Sequence, residues 1–140
     1  MTDRREKDRS PFAALVLGWI LPGAGHAYAG RWGKAILFFS LITALMVAGL
    51  VIGGGTNILP NRLWYAAQVC AGGPALALTP ISQHLAGPDD SNVDWADPRH
   101  EMGTLYTAVA GFLNLLVMMD AYTRIAYPHR LGQQPQEEDA

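Results

Sequence analysis

The sequence predicts an all-α integral membrane protein built as a bundle of four transmembrane helices, and three observations predict it. Between residues 10 and 88 the only charged side chains are Arg31, Lys34 and Arg62, each set in a gap between apolar runs. A charge at the bilayer centre costs roughly 2.5–3.5 kcal/mol on insertion scales, so this spacing suits a chain that crosses lipid. Four apolar segments, residues 11–28, 35–53, 63–81 and 104–122, are each long enough at about 1.5 Å per residue to approach the ~30 Å hydrocarbon layer. Finally, the segments lack the alternating polarity of membrane strands, and four strands cannot close a barrel.

The first segment, residues 11–28, follows a charged start (Arg4, Arg5, Lys7, Arg9) and is broken by Pro22-Gly23. Its basic start, its apolar stretch from Phe12 to Leu21 and Ala27-Tyr28-Ala29 also imitate a secretory signal with a cleavage site, a rival to retention as a helix. The second, residues 35–53, is uninterrupted. The third, residues 63–81, is broken by Gly72-Gly73-Pro74. Proline removes a helical hydrogen bond, and lipid tolerates the freed backbone only where protein or water covers it, so both breaks should face the bundle interior. The fourth, residues 104–122, carries Asn114 and ends on Asp120. Small residues four apart (Ala14/Gly18, Ala44/Ala48, Gly49/Gly53, Ala67/Ala71, Thr107/Gly111) offer faces for close helix crossing.

The domain is expected to run over residues 11–131, between mobile tails at 1–10 and 132–140. Four crossings put the N-terminus, Arg62, Arg124 and Arg130 on one side and Arg31, Lys34 and Arg99 on the other. The positive-inside rule then predicts both termini in the cytoplasm, with the acidic loop facing the periplasm or exterior. Trp19, Trp32, Trp64 and Trp95 fall mostly near segment ends, as an interfacial belt would have them.

The stretch Pro22-Gly23-Ala24-Gly25-His26-Ala27-Tyr28-Ala29-Gly30, followed by Arg31, Lys34 and Ile36-Leu37-Phe38-Phe39, resembles the Gly-x-His-x-Tyr-x-Gly motif of the TM-two double-transmembrane domain family, in its uncharacterised bacterial relatives. Residues 101–122, ending at Asp120, resemble the final helix of those relatives. The better-known branch of the family carries Asp-Arg-Phe where this chain reads Gly25-His26-Ala27-Tyr28, so no receptor-like role carries over. The resemblance implies a multi-pass location in the inner membrane of a bacterial cell and leaves the activity open.

Residue chemistry narrows the function. Gly23, Gly25 and Gly30 permit a tight turn or close contact, and His26 and Tyr28 are placed to bond freed backbone or a neighbouring helix. His26 reads as a neutral residue satisfying the break at Pro22, with a protonation switch or a ligand contact as the alternative. Asp120 has Arg124 one turn on and reads as an interfacial ion pair; the alternative is a proton or ion relay. Asn114 and Gln68 read as interhelical hydrogen-bonding groups. The loop at 82–103 holds His84, Asp89, Asp90, Asp94, Asp97, His100 and Glu101, ligand types at spacings of no defined metal site. The lone Cys70 excludes an intrachain disulfide. Phosphate-binding and nucleophile-elbow motifs are missing from the sequence, and no catalytic residue, cofactor, metal, nucleic acid or small-molecule substrate is assigned. The reading is therefore a structural or accessory subunit that binds other membrane proteins or a second copy of itself. A small transporter or ion-conducting subunit using His26, Asn114 and Asp120 is one alternative; a membrane enzyme acting through the loop is the other.

Overall fold

The computed structural model describes residues 9–59 and 63–127, and among these the fold is all-helical. Helix α1 (Pro11–Ile20) starts where Ser10 Oγ accepts from Ala13 N and Pro11 opens the first turn, and it stops because Leu21, which precedes a proline, is held extended at φ −138°, ψ 118°. Gly23 reverses the chain at φ 82°, where a non-glycine residue would be strained. The short helix α2 (Ala24–Tyr28) then runs back beside α1. Tyr28 closes this first hairpin at its base, its hydroxyl accepting from Ser10 N at 3.3 Å.

Helix α3 (Trp32–Ile52) is long and unbroken. After the turn at residues 53–59, α4 (Leu63–Val69) is stopped short, Gly72 reverses the chain at φ 74°, and α5 (Gly73–Ala86) returns with Pro74 in its first turn. A second hairpin results. A 3-10 turn (Pro88–Asp90) leads to α6 (Pro98–Ala126), which Asp97 caps by accepting from Arg99 N at 2.9 Å.

The two halves of the chain thus repeat one plan, a hairpin followed by a long helix, in opposite directions. Helices α3 and α6 are antiparallel: Gly49 and Gly53 lie against Gly103 and Thr107, so closely that a Cβ on Gly103 would sit 2.5 Å from the Gly49 carbonyl oxygen. Hairpin one enters from the far end of α6, where Gly25 meets Ala14 and Ala121, and reaches Met118 at Gly18. Hairpin two enters from the near end, with Gln68 bonded to Thr107 and Ala67 against Gly111. Its return arm goes back to the same end, where Ser82 Oγ donates to Gly55 O at 2.6 Å. The tips meet halfway: Gly72 lies against the Trp19 carbonyl and Gly73 against that of Ile20. The main core, Ile42, Met46, Ile58, Ala71, Ala75, Ala110 and Val117, fills the space between the long helices and the second hairpin.

This arrangement corrects the expected course of the chain. Residues 11–28 and 63–81 do not traverse the bundle; each goes in about half its length and comes back, because the breaks at Pro22 and at Gly72-Gly73-Pro74 turn the chain through a left-handed glycine instead of kinking a continuous helix. Two helices, α3 and α6, are long and apolar enough to cross a membrane. Arg31 and Lys34 consequently lie at the same end as Arg9 and Arg124, while the acidic loop and Arg99 lie at the other. Arg62, Arg130 and most of both tails (residues 1–8 and 128–140) fall outside the described residues; Trp64, in the first turn of α4, lines a cleft with Glu101 at the acidic end. The small-residue faces at Ala14/Gly18, Gly49/Gly53, Ala67/Ala71 and Thr107/Gly111 all meet neighbouring elements. The pair Ala44/Ala48 does not: Ala44 faces outward.

Candidate functional site

Three polar centres are stacked along α6. At the middle, Asn114 is fully buried and its Nδ2 donates to Gly18 O at 3.2 Å and Cys70 O at 3.0 Å, one carbonyl from the end of each hairpin's inbound helix. A helix end leaves its last carbonyls without intrahelical partners, so one amide side chain ties both tips. Trp19 adds a second tie, its Nε1 donating to Val69 O at 3.1 Å. Trp19 therefore sits at the hairpin tip and not in an end belt. The Asn114 Oδ1 has no hydrogen-bond partner in the fold.

At the basic end, Asp120 Oδ2 accepts from Arg124 Nε at 2.8 Å and lies 2.9 Å from His26 Nε2. His26 has no exposed surface and packs edge-on against Phe38, with ring centres 5.0 Å apart. The backbone around Pro22 is not what its ring satisfies. His26 instead ties the return arm of hairpin one to α6, with Nδ1 left unpartnered. Pro22 and Gly23 form the turn, Gly25 allows α2 to touch Ala14 and Ala121, and Gly30 at φ 79° leads the chain into α3. Pro22, Gly23, Gly25, His26 and Tyr28 thus build and close this hairpin, and Gly30 leads out of it.

At the acidic end lies a network that sequence reading did not assemble. Gln68 Nε2 donates to Thr107 Oγ1 at 2.7 Å and to Asn57 O at 2.9 Å, and Asn57 Nδ2 donates to Thr107 Oγ1 at 3.3 Å. His100 Nε2 lies 3.2 Å from Thr56 O. Above this network opens a cleft of about 400 Å³, lined by Asn57, Leu59, Trp64, Gln68, Trp95, His100, Glu101, Thr104 and Leu105. His26, Asn114 and Asp120 do not converge on it. Among the described residues no three His, Cys, Asp or Glu side chains gather as metal ligands.

The model of a family of unknown function, DUF6677, matches residues 13–132, a stretch that includes both hairpins and both long helices. The chain belongs to that family. No curated protein and no solved structure matches it. The DUF6677 match includes all three polar centres, the break residues Pro22 and Pro74, and the acidic loop. The matched family thus supplies no activity, and what the chain does has to be argued from its geometry.

Proposed function

We propose that this DUF6677 chain is an integral protein of the bacterial inner membrane that serves as a structural or accessory partner of other membrane proteins. Helices α3 and α6 cross the bilayer and the hairpins are re-entrant, dipping in from opposite faces and meeting near the midplane. Only 22% of the apolar window of α3 is buried within the protein, so a helix about 31 Å long presents most of its apolar surface outward, as lipid or a partner helix requires. Irregular backbone at that depth is tolerated when protein covers it, and Pro22, Gly23, Ala71 and Gly72 are buried. Among the described residues Arg9, Arg31, Lys34 and Arg124 lie at one end against Arg99 alone at the other, which argues for cytoplasmic termini. Burial of Ala14, Gly25 and His26 within the bundle argues for retention of the first segment after synthesis. The relation to the TM-two domain family rests on the residues of the Pro22–Gly30 motif and the final helix.

The observation that carries the accessory reading is the sealed junction: Asn114 and Trp19 bond the tips to each other, and Asp120 is held by Arg124 and His26, so the polar groups at depth serve the fold. The test is purification of tagged protein from its native membrane in mild detergent, with mass spectrometry of what accompanies it. A stoichiometric membrane partner, or a stable homo-oligomer, is the expected result; a solitary monomer contradicts it.

One observation favours conduction as a second reading. Gly/Pro-broken segments at corresponding positions of two inverted halves mark the substrate sites of many transporters, and the Asn114 Oδ1 at their junction is unpartnered. Ion flux in proteoliposomes that is abolished by Asn114→Ala would favour that reading over the first. An enzymatic role for the loop at 82–103 has no such support, since its histidines and acids do not gather.

A further inference from the structure

The cleft at the acidic end has a lining with one consistent chemistry. Trp64 and Trp95 supply indole surface on two sides, and the Trp95 ring meets His100 edge-on at 4.9 Å. Glu101, an exposed residue of the lining, makes no ion pair among the described residues, and among these the nearby loop sets Asp89, Asp90, Asp94 and Asp97 against Arg99. The floor is built of buried polar side chains: Asn57 at 3% exposure, Gln68 at 1% and Thr104 at 8%. Asn57 commits its Nδ2 to Thr107, and its Oδ1 is buried against Gly53, so the binding chemistry of the cleft comes from its rim and its indoles. Thr104 gives its hydroxyl hydrogen to His100 O. The cleft therefore offers a carboxylate and aromatic surface, a set that attracts positive charge.

We propose that this cleft binds an ammonium group. A volume of about 400 Å³ is in the range of small-molecule sites and accommodates a group the size of ethanolamine or choline. Two sources offer that chemistry: a phospholipid headgroup and a free amine. The headgroup has the better claim on position, since Leu105 borders the cleft and continues into an outward apolar stripe, Leu105, Val109, Phe112 and Leu116, on one face of α6, where an acyl chain would lie.

The test uses the full chain purified in detergent, with native mass spectrometry in the presence of phosphatidylethanolamine or phosphatidylglycerol and tryptophan fluorescence as a second readout. The proposal predicts retention of phosphatidylethanolamine over phosphatidylglycerol by about tenfold or more, and a similar loss of that preference in Glu101→Gln, whose exposed position leaves the fold and the melting temperature unchanged. Trp95→Phe is to keep the fold and shrink the fluorescence change. Competition by millimolar ethanolamine would show that the ammonium group suffices; its failure, with the lipid still preferred, would assign the site to the headgroup. Equal retention of the two lipids together with no saturable response to ethanolamine overturns the proposal. So does a Glu101→Gln protein that folds and binds like the wild type.

Discussion

Gly111→Ala probes the contact on which the second hairpin rests. A Cβ at position 111 would overlap the carbonyl oxygen of Ala67 and lie 2.9 Å from its carbonyl carbon and 3.3 Å from Ala71 N. All three atoms are backbone, so no side chain can rotate away and α4 would have to retreat by about 1 Å or more. That retreat would loosen the Ala67 and Ala71 packing and lengthen the bond from Asn114 to Cys70 O, now 3.0 Å. Overpacking costs about 1–3 kcal/mol, and the immobile neighbours place this site at the upper end. Alanine recovers up to about 1 kcal/mol of helix propensity, leaving a net loss of about 2 kcal/mol. For a domain of this size that corresponds to a melting temperature lowered by roughly 5–10 °C, measured by thermal unfolding in detergent. Gly33→Ala is the matched control: nothing lies within 4 Å of its Cβ, so its melting temperature should be unchanged or slightly raised. A Gly111→Ala protein that melts no earlier than Gly33→Ala would refute the packing of hairpin two on α6.

Three further outcomes follow from the polar centres and the turns. Asn114→Ala removes both ties to the tips; at about 0.6–1.7 kcal/mol per interhelical bond in lipid it should lower stability by about 1–3 kcal/mol, and amide exchange should accelerate near residues 18–23 and 70–74. Asp120→Ala should cost more than Arg124→Ala, about 2 against about 0.5 kcal/mol. The first leaves the fully buried His26 with neither ring nitrogen bonded, whereas the second removes one partly exposed partner; equal losses in thermal unfolding would argue against a structural role for His26. Gly72→Ala is to fail to accumulate in membranes, since φ 74° is unfavourable for alanine and its Cβ would overlap the Trp19 carbonyl oxygen; normal accumulation on an immunoblot would contradict the tip-to-tip contact.

Much of the molecule's chemistry was readable residue by residue. The breaks at Pro22 and Pro74, the pairing of Asp120 with Arg124 one turn away, and the small-residue faces near Gly49, Ala67 and Gly111 are local features, and local spacing reveals them. The path of the chain was not readable in the same way. A run of 18–20 apolar residues has one hydropathy profile whether it traverses or doubles back, and both breaks fall in mid-run with no charge beside them. A signal did exist in the paired positions of the breaks, each followed by a long helix, and in Arg31 and Lys34, which a four-crossing path sets apart from the basic termini. The bond between His26 and Asp120 joins residues 94 positions apart, so no periodicity announces it. The same holds for Gln68 and Thr107, which meet only because α4 stops short beside α6.

The fold-back of the two hairpins is the claim on which the account depends, and sidedness of single cysteines tests it most directly. In a Cys70→Ser background, Gly33→Cys, Gly54→Cys and Ser91→Cys place one thiol each at the start of α3, in the turn after it and in the acidic loop, all at exposed positions. With a membrane-impermeant maleimide applied to intact cells, the account predicts that Gly54→Cys and Ser91→Cys react together while Gly33→Cys reacts only after the membrane is opened. Four complete crossings require the opposite pattern, with Gly33→Cys and Ser91→Cys labelled from outside and Gly54→Cys protected, and that result would contradict the fold-back outright.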